Sequence, residues 1–134
     1  MTIQHINPPE LGNPSNYGFT NIVVVPPDAK LVFIAGQSGA DGQGGYGSFE
    51  AQLERAFEKL RKALDSVGAT PAQVTKITVL CANYSLEKQK LISAKRNQMW
   101  PDDTVKPAST IIPVPRLSHD DMLFEIDAIA AIPA

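Results

Sequence analysis

The chain has 134 residues, is 43% hydrophobic and carries a formal net charge of −2. That length suits one domain over residues 1–134, that apolar fraction can build a core, and that charge gives no basic footprint for a nucleic acid. One cysteine, Cys81, excludes an internal disulfide, and neither a signal-peptide pattern nor a membrane-spanning run is visible, so the expectation is a soluble cytoplasmic protein.

Residues 2–6 read as a short strand before the irregular "NPPELGNPSN". "FTNIVVV" (19–25) is β-branched and reads as a strand. "PPDAK" is a turn, and "LVFIAG" (31–36) is the next strand, expected to form a hairpin with the one before. "QSGADGQGGYGS" (37–48) is a glycine-rich loop, read as mobile. In residues 49–68, Phe49, Leu53, Ala56, Phe57, Leu60 and Leu64 recur at helical spacing. Ser48 can cap that helix and Gly68 can stop it. "TPAQ" is one capped turn, and "VTKITVLCA" (74–82) is a strand with Ile77, Val79 and Cys81 on one face. A second helix spans 85–100, capped by Ser85 and ended by Pro101. "PASTIIPVPRL" (107–117) is a strand whose far end, carrying Pro113 and Pro115, must be an edge or a bulge. "MLFEIDAIAAI" (122–132) is the last strand.

The order β-β-β-α-β-α-β-β predicts an α+β fold, one mixed β-sheet with two helices on one face. Several strands are apolar on both sides, so a second copy of the chain should cover the open face.

Few residues point to chemistry. "GQGGYG" (42–47) matches the letters of a dinucleotide fingerprint, but its loop is too long and no βαβ unit surrounds it. His5 and His119 read as surface loop residues, and with Cys81 they form no metal-ligand set. Cys81 reads as a core residue. Arg55, Lys59, Arg61 and Lys62, and again Lys88, Lys90, Lys95 and Arg96, read as solvated helix faces. Glu125 and Asp127 share one strand face, where a carboxylate pair can provide a general base or simply meet solvent.

"FIAGQ", "VGATPAQVTKITVL", "KPASTIIPVPRL" and "FEIDAIA", in that order and spacing, resemble the RidA/YjgF superfamily, whose members also carry the label L-PSP endoribonuclease. The resemblance covers almost the whole chain. It implies a chorismate-mutase-like fold and a homotrimer with small-molecule clefts between subunits. It also implies hydrolysis of enamines or imines such as 2-aminoacrylate, without a metal or organic cofactor. Glu125 matches the glutamate that handles water, and Tyr17 a cleft tyrosine. Gly36 matches the family glycine, but Ala35 stands where the family has serine. Ser109 stands where archetypal members hold the substrate carboxylate with an arginine, and Ile111 replaces a cysteine. A cleft asparagine falls near Ile92 or Ser93. Arg116 cannot substitute for the arginine at 109, because strand parity points it to the other face, and Lys106 departs before Pro107.

The sequence therefore suggests a Rid-type hydrolase whose cleft lacks its arginine, acting weakly or not at all on carboxylated imines. The alternative is a trimeric small-ligand-binding module without catalysis. Ribonuclease activity rests on the family label alone, and the acidic balance opposes it.

Overall fold

The computed structural model describes residues 1–134. Its order is β1 (Gln4–Ile6), β2 (Ile22–Val24), β3 (Ala29–Ser38), α1 (Phe49–Ser66), β4 (Val74–Ala82), α2 (Leu86–Met99), β5 (Ala108–Val114) and β6 (Phe124–Pro133), with short 3-10 turns at 9–11, 15–17 and 71–73. The alternation of strand and helix types is the one read from the sequence. The caps are too: Ser48 Oγ accepts from the Ala51 N–H, and Ser85 Oγ from the Lys88 N–H. Gly68 stops α1 at φ 70°, a conformation open to glycine because it has no Cβ.

Four strands form one sheet in the order β3-β6-β4-β5, with β4 and β5 parallel and the other pairs antiparallel. β1 and β2 form a separate antiparallel pair. The expected hairpin between β2 and β3 does not form: β2 pairs with β1, and β3 pairs with β6. Pro26 and Pro27 lie where that hairpin would close, and proline donates no ladder hydrogen bond. The two longest strands, β3 and β6, pair with each other instead.

Both helices lie on one face. Leu53, Phe57, Leu60 and Leu64 of α1 and Ile92 and Met99 of α2 join Ile77, Val79, Phe124 and Ile126 in a single core. Cys81 is fully buried there, and burial pushes its thiol up in pKa. The opposite face has no helix. Phe33 is 71% exposed on it, Leu31 51% and Ile112 43%. β5 is an edge strand, one of the two placements expected for its proline-bearing end; Pro113 stands within it and Pro115 lies past its end.

Three expectations about loops and charges change. The glycine-rich loop is pinned. Asp41 accepts from the Gln43 and Gly45 N–H groups, Arg55 donates to the Tyr46 carbonyl, and Lys59 donates to the Ala40 carbonyl. Arg55 and Lys59 are therefore loop anchors, half-buried, and not a solvated face. The backbone donors that a phosphate would need at Gln43 and Gly45 are already spent on Asp41. His5 is no loop residue either: it sits in β1, half-buried, with Nε2 enclosed and unpartnered. His119 is an exposed loop residue beside the Tyr46 ring.

Candidate functional site

Arg96 is the residue that sequence reasoning misplaced. The buried positions of α2 are Ile92, Ser93, Arg96 and Met99, one helical stripe. Arg96 occupies that stripe four residues after Ile92 and three before Met99, so the helix turns it inward, and it is 2% exposed. Its Nη1 donates to Ser109 Oγ at 3.0 Å, and its Nη2 to Ser93 Oγ at 3.2 Å. Nε has no partner. The guanidinium carbon lies 5.4 Å from the centroid of the Phe19 ring. Arg96 belongs to none of the ion pairs in the structure. Burial lowers its pKa to about 10, so it remains charged at neutral pH.

A buried charge without a counter-ion costs several kcal/mol. A cation–π contact returns about 0.5–2 kcal/mol. The two serine hydroxyls add neutral hydrogen bonds, which do not cancel the charge. The guanidinium is left under-compensated, beside a cleft.

That cleft has a volume of about 280 Å³ and is lined by Tyr17, Phe19, Gln89, Arg96, Ser109 and Ile111. No acidic residue is among them. The turn at 15–17 delivers Tyr17, and Gly18 (φ 89°) follows it directly above α2. A β-carbon at Gly18 would lie 2.6 Å from the Arg96 Cβ, so the turn can close over the arginine only with glycine there. Asn97 holds the same turn by donating to the Asn16 carbonyl, and Lys106 donates to Asn97 Oδ1. Because Ser109 Oγ accepts from Arg96, its own proton is free to donate outward. The cleft offers donors and positive charge, the complement of a carboxylate or another small anion.

Glu125 occupies a different place. It lies opposite Ser38 on β3 and Leu80 on β4, half-buried. Ser109 lies opposite Ile77, whose side chain is in the helix-side core. Residues opposite in register share a face, and Ile77 and Leu80 are three apart, so Ser109 and Glu125 lie on opposite faces of the sheet. Beside Glu125, a bulge between Ile34 and Gln37 contains Ala35 and Gly36. A β-carbon at Gly36 would come 2.5 Å from Glu125 Cδ, so the carboxylate rests on the bare glycine.

The expected site residues thus divide into two groups. Tyr17, Ser109 and Ile111 meet in the Arg96 cleft, while Glu125, Gly36 and Ala35 meet on the open face. Arg96, Phe19 and Gln89 were not anticipated as site residues. The helical spacing of Arg96 from Ile92 and Met99 was the signal that could have found it. The other two arginine substitutes fall away as expected. Lys106 is buried and donates to the Trp100 carbonyl, and exposed Arg116 pairs with Asp120 at 2.7 Å. No three His, Cys, Asp or Glu side chains are grouped to hold a metal ion. No helix is long and apolar enough to cross a membrane.

The family model described as endoribonuclease L-PSP matches residues 17–132. No curated protein matches the chain. Among solved structures, it is similar to a protein of unknown function of the Rid family from Yersinia pestis, at 27% identity and a TM-score of 0.89, covering 98% of this chain and 100% of that one. It is also similar to a protein from Thermotoga maritima provisionally described as an endoribonuclease, at 26% identity, a TM-score of 0.66 and 87% of each chain. A YjgF-family member from Mycobacterium tuberculosis shares the fold at 22% identity and a TM-score of 0.63, over 98% of this chain and 100% of that one.

Proposed function

We propose a function from one premise, that the chain belongs to the endoribonuclease L-PSP family within the RidA/YjgF superfamily: it binds a small carboxylated imine or enamine and hydrolyses it. The observation that carries this reading is Arg96, a buried guanidinium with no carboxylate partner that faces an acid-free cleft. The arginine absent from position 109 is replaced from α2. Ser109 keeps a part, orienting Arg96 and donating its own proton. In this reading the expectation of weak or absent activity on carboxylated imines is revised.

Glu125 lies on the other sheet face and reaches the ligand only from a second copy. A trimer with the sheets turned inward, the arrangement the family implies, brings one copy's Glu125 toward a neighbour's Arg96 and covers Phe33 and Leu31. In the reaction, Arg96 pairs the carboxylate and Tyr17 helps enclose the ligand. Glu125 takes a proton from water as the water oxygen bonds to the imine carbon, and it returns that proton to the nitrogen so that ammonia can leave. The carbinolamine that results expels ammonia and leaves the ketoacid, so no oxidant or metal is required. The ribonuclease label gains no support from a chain of net charge −2.

Ketoacid and ammonia release from 2-aminoacrylate tests this. Wild type should accelerate it, Arg96→Gln should mainly raise KM, and Glu125→Gln should mainly lower kcat, by about 100-fold or more. Full activity in Arg96→Gln would overturn the assignment. A wild type that binds small acids through Arg96 but releases no ammonia would make it a binding module instead.

A further inference from the structure

Arg96 lines the cleft and touches a residue that lines a second cavity. Nη1 reaches Ser109 in the cleft, while Nη2 reaches Ser93, which lines a second groove of about 470 Å³ along the outer side of α2. Tyr17 and Gln89 line both, so the two spaces share a wall. The groove is no loose surface crease: its floor is Ser93, and its rim is fixed by the Asn97 contact to the Asn16 carbonyl and the Lys106 contact to Asn97. It contains no acidic residue, and it contains Lys90, an exposed cation outside every ion pair in the structure. Lys90 and Arg96 are six residues apart on one helix, about 9 Å along its axis at 1.5 Å per residue.

We infer that the ligand is an elongated dianion, with one acidic group on Arg96 and a second carried past Tyr17 and Gln89 to Lys90. This rests on the reading of Arg96 as the acid-binding residue and narrows its substrate class. A substrate limited to a few atoms would sit in the cleft alone and leave the groove empty. The two ends differ in strength. The Arg96 end is desolvated and anchors the ligand, whereas the Lys90 end meets solvent and selects by length and charge.

Linear α,ω-dicarboxylates of increasing length, each with its matching monocarboxylate, are the probes, titrated calorimetrically into the intact assembly. Affinity of the diacids should rise with length until the second carboxylate reaches Lys90. At that length the diacid should exceed its monoacid about fivefold, a ratio that shrinks as salt is added. Lys90→Gln should bring the ratio to about one, and Lys62→Gln, at an unrelated exposed lysine, should leave it unchanged. If monoacids bind through Arg96 but diacids of every length bind no better, the dianion inference fails and the Arg96 reading stands. If the preference survives Lys90→Gln, the second contact is elsewhere and the inference also fails. If no acid binds at all, both readings fall together.

Discussion

Arg96 is a charge at a core position, and such residues separate stability from function. Replacing it with methionine keeps an unbranched stem in the stripe of Ile92 and Met99 and removes the uncompensated charge. Urea denaturation of Arg96→Met should show stability equal to wild type or higher, while binding of small acids falls roughly 30- to 5,000-fold. A loss above about 2 kcal/mol would identify the guanidinium as a structural strut. Ser109→Arg provides the complementary case. Nη1 of Arg96 already lies 3.0 Å from Ser109 Oγ, so an arginine at 109 brings two buried cations together. That variant should be less stable than wild type and bind acids no better. Adding Arg96→Ser should restore stability and binding together, as measured by thermal melting and calorimetry. Rescue of binding by Ser109→Arg alone would mean that the two positions do not compete for one ligand.

At the scale of elements, the pair β1–β2 is the part set off from the main sheet, and His5 lies within it. Burial holds the His5 pKa below its ordinary 6.5, and its enclosed Nε2 finds no acceptor. Between the folded and unfolded values the unfolded chain binds more protons, so stability rises with pH in that window. The contribution is present above 6.5 and is lost as pH falls through the folded value. His5→Gln should flatten the decline in melting temperature on going below that pH. An unchanged slope would place the acid sensitivity elsewhere.

At the scale of the molecule, the four-stranded sheet has one face covered by helices and one left open. Phe33, 71% exposed, is the largest apolar side chain on the open face, and monomers seldom leave such a cluster bare. Light scattering should give about 43 kDa, three times the 14.4 kDa chain. Phe33→Glu, which places a charge on the open face, should shift the protein toward monomer. A wild type already monomeric would remove the second copy through which the proposed reaction has Glu125 meet Arg96. If Phe33→Glu remains a trimer, the contact lies on another surface, and the exposed Ile6, Ile22 and Val24 of β1–β2 become the candidates.

Local chemistry in the sequence was enough for the order of the elements and for the ends of both helices, but not for the strand ends, since β3 runs from Ala29 to Ser38, past both ends expected for it. Ser48, Ser85, Gly68 and Pro101 act on neighbours within a few residues, and the apolar spacing of α1 identifies its buried face without reference to any partner. Edge placement of β5 was legible for the same reason, since Pro113 cannot donate to a ladder on both sides. The family resemblance likewise followed from residues in linear order. Pairing between distant segments was not legible: β3 met β6 across about ninety residues because length and apolar pattern match there, while prolines closed off the nearer choice. Nor could the sequence show that Ser109 and Glu125 would face opposite ways, because their relation depends on two registers through β4. The role of Arg96 depended on tertiary structure most of all. A basic residue among lysines reads as solvated, and only the packing of α2 against the sheet, with the turn at Gly18 above it, removes water from this one and directs it at Ser109.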